Sequence, residues 1–359
     1  MHGRGGFGLR LAGLVLIGTL VVYGIPGMLG WAAPADRAGE WARVVEAAKR
    51  EGRLVVYDAF GGAVPTVQYA AERFEATYGI KVEVAVMRAS ESIERIRVEQ
   101  RAGRPIADLV TVGPSTVRPM MEEGVLRPVE FLPSAIRVSP QLRAKMEEWG
   151  LGQHMLTTLV QLYGILINTN LVRPEAEPRS WMDLLDSRWR GQMIMDDPRA
   201  PGGGYVFFAA AYKQLGRRYQ EALAEQRPFL TRAIAEAATR VARGEFAAMV
   251  PFALGLYPRV RGGPVKLLIP REGAPYVHLG LSFPARSPHP NAARLFAEFF
   301  LSREIQLRLT QDYILPAVAG LGAQAPQEIR PYLRARLWDT IDDPRRDPEW
   351  LRRAAEIYR

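Results

Sequence analysis

Gly202-Gly203-Gly204 is the segment whose residue types and position suggest chemistry first. It follows a short apolar run that ends in Asp196-Asp197-Pro198, and it precedes Tyr205 and an apolar stretch reaching about Leu215. Glycines at a helix start leave backbone N–H groups uncovered, and the helix dipole adds partial positive charge there. A phosphate, phosphonate or carboxylate suits such a place. An ordinary strand-to-helix turn explains the same residues equally well.

Other candidate chemistry is thin. The four histidines, His2, His154, His278 and His289, stand apart, with no H-E-x-x-H or H-x-x-x-H pair, and read as surface or core residues rather than metal ligands. Gly3, Gly5 and Gly8 match G-x-G-x-x-G, but they follow no strand and open no crossover helix. No P-loop and no G-x-S-x-G elbow occurs, and no local motif supports a Ser–His–Asp triad. The absence of cysteine excludes disulfides, thiolate zinc sites, iron–sulfur clusters, a thiol nucleophile and a lipid-carrying N-terminal cysteine. The chain therefore reads as a non-catalytic protein without a cofactor. Its net charge of +9 comes from scattered Arg and Lys, with no run of five or six, so it reads as a solvated surface and not as a nucleic-acid-binding one.

The elements that must position these residues alternate between strand and helix. Leu54-Val55-Val56-Tyr57, Ile80 to Val86 and Ala107 to Val112 read as strands, separated by helices through Phe74 and from Ser92 to Ala102. Such a run predicts a parallel sheet with crossover helices, which binds ligands at the carboxyl ends of its strands. Those ends are Tyr57 to Gly62, Met87 to Ser90 and Thr111 to Ser115. A second α/β unit follows. It holds a strand at Leu159 to Ile167, a helix start at Ser180 with Asp183, a strand at Gln192 to Met195, a helix from Arg232 to Arg243 and a strand at Ala247 to Phe252. A strand at Val265 to Ile269, an apolar helix from Ala292 to Leu301 and a charged helical segment from Arg330 complete the chain. The length of 359 residues and 48% hydrophobic content fit two lobes.

The N-terminus carries an export signature. Arg4 and Arg10 precede the apolar stretch Leu11 to Val22, then come Pro26 and Ala33-Pro34-Ala35 before Asp36. A basic region, an apolar region and a small-residue exit predict a cleavable signal peptide over residues 1–35, with an uncleaved membrane anchor as the alternative.

Several segments together resemble the extracellular solute-binding proteins of ABC importers, in the branch with ferric-ion, thiamine and phosphonate receptors. They include Glu51-Gly52 before Leu54 to Tyr57, Tyr78 to Glu83, Ala107 to Val110, Tyr163 to Thr169, Pro178 to Leu185, Trp189 to Gln192, Arg271 to Pro275 and His289 to Ala293. The resemblance covers about Glu40 to Leu309. It implies a monomeric α/β protein of the two-lobed type 2 periplasmic-binding-protein fold, exported, with a ligand cleft and an ABC permease as partner. Lobe I would comprise 36–158 and 265–315, and lobe II 159–264 with the C-terminal segment 316–359 packed on it. The crossover strands would lie near Leu159 to Asn168 and Met249 to Tyr257.

By position, the implied cleft holds Asp58, Phe60, Gly61, Ser90, Ser115, Asp197, Gly203, Gly204, Tyr205 and Tyr257. Tyr205→Ala and Asp197→Ala should weaken binding. The ferric-ion members use adjacent tyrosines near the second crossover; here Tyr257 stands alone as a metal candidate, and no two tyrosines adjoin anywhere. The expected ligand is therefore a phosphonate, carboxylate or similar anion, with ferric iron as the alternative. A membrane-anchored sensor or an enzyme on a similar fold are the readings of another class.

Overall fold

A computed structural model describes residues 34–327, 329–338 and 344–359. All but the last two residues of the expected signal peptide lie outside the described residues. Among these, no helix is long and apolar enough to cross a membrane. The chain divides into two units, 1–41 and 42–359. Of the first, the described part is the opening of α1 (Pro34–Glu51).

The second unit continues with β1 (Arg53–Asp58), α2 (Val64–Tyr78), β2 (Lys81–Val86), α3 (Ala89–Arg101), β3 (Leu109–Val112), α4 (Pro114–Glu122), β4 (Leu126–Arg127), α5 (Pro140–Glu148) and β5 (Leu156–Asn168). Then come β6 (Met193–Asp196), α6 (Gly203–Leu215), α7 (Arg217–Glu225), β7 (Phe229–Thr231), α8 (Ile234–Ala242), β8 (Ala248–Ala253), α9 (Tyr257–Val260) and β9 (Val265–Leu268). Last are β10 (Tyr276–Pro284), α10 (Pro290–Phe300), α11 (Arg303–Gln311), β11 (Leu315–Pro316), α12 (Arg330–Leu333) and α13 (Asp347–Ile357).

The strands run in the order β2-β1-β3-β10-β5-β8-β6-β7. Two parallel runs, β2-β1-β3 and β8-β6-β7, meet through antiparallel β10 and β5. Leu54 to Asp58 and all of β3 are buried, as a parallel strand covered on both faces requires. Asp108, fully buried, knits this half together: its carboxylate accepts from Val55 N at 2.8 Å, Ser287 Oγ at 2.8 Å and His289 N at 2.7 Å. The amino end of α10 is capped by Glu51, whose carboxylate accepts from Asn291 N and Ala292 N at 3.2 and 2.7 Å.

In the other half, Ser180 and Asp183 form the expected reciprocal cap, but it starts a single 3₁₀ turn, Trp181–Leu185. Trp181 is fully buried there and donates its Nε1–H to Gly273 O at 2.9 Å.

All thirteen residues of β5 are buried, and both halves share it. Its first part pairs with β10 and β11, its last part with β8 and β9. The first crossover thus falls where the sequence indicates. The second does not. The expected stretch Met249 to Tyr257 starts in β8, an apolar strand fully buried between β5 and β6, which stays in the second half. The return crossing is β9 to β10 instead: Leu268 stands opposite Ile165 and Tyr276 opposite Leu162. β9, expected in lobe I, accordingly pairs with the part of β5 that β8 uses. The C-terminal helix α13 packs on α6 through Tyr212–Trp350 and Phe208–Tyr358 ring contacts at 5.4 and 6.2 Å. The turn Pro344–Arg346 before it lies against α4, in the first half.

Candidate functional site

A cavity of about 190 Å³ opens between the two halves, walled by the loops that follow β1, β3 and β6 and by faces of β5, β8 and β10. The first wall is set by Asp58. Its Oδ1 accepts from Thr111 Oγ1 at 2.7 Å and Phe60 N at 3.1 Å, and Thr111 Oγ1 in turn accepts from Ala59 N at 2.6 Å. This clamp holds Phe60 and Gly61 on the cavity wall. Asp58 itself is fully buried behind them, and burial raises its carboxyl above the usual range.

The next wall is the amino end of α4, Gly113 to Thr116, with Thr116 N bonded to Gly113 O at 3.0 Å. Across the crossover, Gln161 and Tyr163 lie two apart in β5 and so share one face, the face that lines the cavity. Gln161 donates its Nε2–H to Leu162 O at 2.8 Å; its Oε1 is buried without a partner.

The third wall joins the end of β6 to the start of α6. Asp196 ends the strand with its carboxylate turned onto the helix: Oδ2 accepts from Gly204 N at 2.8 Å. The contact needs glycine, since a Cβ on Gly204 would lie 2.0 Å from Asp196 O. Burial pushes the Asp196 carboxyl up to about 6, helped by the charge of Asp197 and opposed by the Gly204 and Gly203 N–H groups and by Arg232. Tyr163 is raised far above the ordinary phenol range, chiefly by burial and then by Asp196. Tyr205 completes this wall, its hydroxyl hydrogen-bonded to Asp347.

Of the residues expected in the cleft, the structure brings Phe60, Gly61, Ser115, Gly203 and Tyr205 onto the cavity wall. It places five elsewhere. Asp58 supports the loop from behind. Ser90 is exposed on the first turn of α3, where its neighbour Ala89 meets the cavity instead. Asp197 turns outward and binds Arg199, Oδ2 to Nη2 at 2.8 Å. Gly204 is covered by Asp196. Tyr257 packs edge-on against Tyr313, ring centres 5.2 Å apart, away from the cavity, so it is no metal candidate for this site.

Gln161, Tyr163 and Asp196 were missed. The crossover expected at Leu159 to Asn168 carried the signal for the first two, since alternate residues of a strand that crosses a cleft face it. Asp196 was passed over for its neighbour. The four residues Met193–Asp196 are buried throughout, so the strand runs one residue further than its apolar letters.

None of the lining residues is Lys, Arg or His. Among the described residues no group of three or more His, Cys, Asp and Glu could hold a metal ion. The expected anion seat at the head of α6 is filled by the protein's own carboxylate.

The architecture matches solved type 2 periplasmic binding proteins. The periplasmic binding protein P5PA superposes with a TM-score of 0.71 at 21% identity, over 86% of this chain and all of that one. AfuA from Actinobacillus pleuropneumoniae, solved with fructose-6-phosphate bound, gives 0.68 at 20% identity, over 86% and 98%. An uncharacterized protein of Haemophilus influenzae is 25% identical over 267 residues, 72% of this chain and 75% of that protein. The sequence profile of the bacterial extracellular solute-binding proteins matches residues 104–342, two-thirds of the chain, and the chain belongs to that family.

Proposed function

We propose that this protein is the exported receptor of an ABC importer, which takes one small solute into the cavity between its halves and delivers it to a permease. The observation that carries the reading is the cavity's construction. Its walls come from both halves, at the carboxyl ends of β1, β3 and β6, and the strands beside it are the two that cross. A solute held there touches both halves and favours their closed arrangement by its differential affinity for it. The role is binding without turnover.

The ferric reading finds less support. The cavity offers one carboxylate, and the hydroxyl of Tyr205 is engaged with Asp347. Ferric iron needs several hard anionic ligands. Native mass spectrometry of the protein as recovered from cells tests the receptor reading. A discrete small-molecule mass lost on denaturation, on a chain starting near Asp36, supports it. A chain that keeps Met1 supports a membrane-anchored sensor instead, and conversion of the released molecule on incubation supports an enzyme.

A further inference from the structure

We infer that the solute carries a positively charged nitrogen group, seated against Asp196 and Gln161 among the rings of Phe60, Tyr163 and Tyr205. The inference rests on the receptor reading and names the class of its solute. It replaces the anion expected from the glycine run.

The polar atoms of the wall favour a donor. Gln161 is buried, and its amide is oriented by the Nε2–H bond to Leu162 O, so the atom left without a partner is the acceptor Oε1. Asp196 Oδ2 accepts from Gly204 N, but a carboxylate has room for about four hydrogen bonds. Its negative charge stands in a site with no lining Lys, Arg or His to balance it. A buried carboxylate is costly, Arg232 from off the wall offsets that only in part, and a bound ammonium offsets more of it.

The rest of the wall fits the same guest. Aromatic faces attract cations, and most remaining side chains, among them Val112, Ile234, Met249 and Leu279, are apolar, the hydroxyls of Ser115 and Thr116 at the head of α4 excepted. That lining leaves most hydroxyls of a sugar unmatched. A phosphate approaching the head of α6 would meet the Asp196 carboxylate. The amino end of α4 has no cationic side chain beside it on the wall, and it suits the carboxylate tail of a zwitterion.

Isothermal titration of the full-length protein, unfolded and refolded to strip retained solute, tests this. The probes are putrescine, choline and glycine betaine, against methylphosphonate, fructose-6-phosphate, glucose and ferric citrate. The variants are Asp196→Asn, which keeps an oxygen for Gly204 N–H, Gln161→Met, and Asp197→Ala as the outward control. The molecule released from protein freshly recovered from cells is identified in parallel. The expected result is a nitrogen cation or zwitterion as the released molecule or bound probe, with affinity lowered at least about thirtyfold by Asp196→Asn and changed by less than about threefold by Asp197→Ala. Thermal melts confirm that each variant folds. A retained or bound phosphonate, sugar or ferric ion, or a cation bound equally well by Asp196→Asn, overturns the inference and leaves the receptor reading standing. No retained molecule and no bound probe would remove both.

Discussion

The loops after β1 and β8 touch backbone to backbone, and that contact makes the closing motion testable. A Cβ built on Gly62 would lie 2.8 Å from both Cα and C of Gly255, and 3.2 Å from Gln161 Oε1. Ordinary contact begins near 3.4 Å, so Gly62→Ala demands a separation of at least 0.6 Å between main chains that cannot rotate away. Overpacking of this kind costs about 1–3 kcal/mol. If the two halves part in the solute-free protein, the strain falls on the closed state alone. Affinity should then drop about fivefold to 150-fold, with little change in the melting temperature of the empty protein. Gly255→Ala probes the same contact from the other side, at a residue that is not itself on the cavity wall. Its Cβ would meet Gln161 Oε1 at 2.9 Å and Ile314 Cδ1 at 3.0 Å, side-chain atoms with some freedom to move, and the Gly62 main chain only at 3.1 Å, so the loss should be smaller. Calorimetry gives the affinity of the solute recovered from cells, and small-angle scattering gives the radius of the empty and loaded forms. Lowered melting temperature with unchanged affinity would refute the reasoning, since it would make the contact permanent packing.

Acid should stabilise the empty protein through Asp196. Its carboxyl is held at about 6 in the fold against an ordinary 3.8, so between these values the folded state carries more protons than the unfolded one. Stability from this group is therefore lost as pH rises through that window, on the order of 3 kcal/mol in total, and Asp58 pushes the same way. Urea titrations at pH 4.5 and 7 should show Asp196→Asn with a flatter dependence; an identical dependence would contradict the burial argument. Affinity for a cation runs oppositely and rises over the same window, because the ionised Asp196 is the binding form; burial, the Gly204 and Gly203 N–H groups, Asp197 and Arg232 set its position. Tyr205→Ala should weaken solute binding at least tenfold, about the effect of truncating a buried aromatic anchor, whereas Asp197→Ala should change it by less than about threefold, because Asp197 spends its charge on Arg199 at the surface. Calorimetry on both variants separates these effects, and equal losses would move the cavity wall.

Much of the fold was legible because its strands are short, apolar and bounded by turn residues. Leu54 to Tyr57, Leu159 to Ile167 and Gln192 to Met195 each mark a strand to within a few residues. β10 was not seen. Tyr276 to Pro284 mixes His278, Gly280 and Ser282 into an apolar run, and its strand identity comes from neighbours on both edges, β3 and β5, that are far away in sequence. Missing it displaced the second crossover. The site was legible where a loop follows a strand, as at Phe60, Gly61 and Ser115. It was not where one side chain answers another. Asp197 and Asp196 are equivalent as letters, and only the turn after β6 decides that one meets Arg199 and the other the head of α6. The glycine run does open a helix, as read; its N–H groups are not left open but meet the carboxylate of Asp196, eight residues before Gly204.

The Asp196 cap also bears on how such receptors diverge. One carboxylate both closes the amino end of α6 and gives the cavity its negative charge, so a single substitution changes both at once. Replacing it with serine or glycine would uncover the Gly203 and Gly204 N–H groups, remove the like charge, and leave the backbone where it is. Cargo of the opposite sign is then one codon away, with no insertion and no rebuilt loop. Relatives that carry a small neutral residue at this position should bind anions, and the molecule retained by any such relative, identified from the purified protein, would show whether inheritance has used that route.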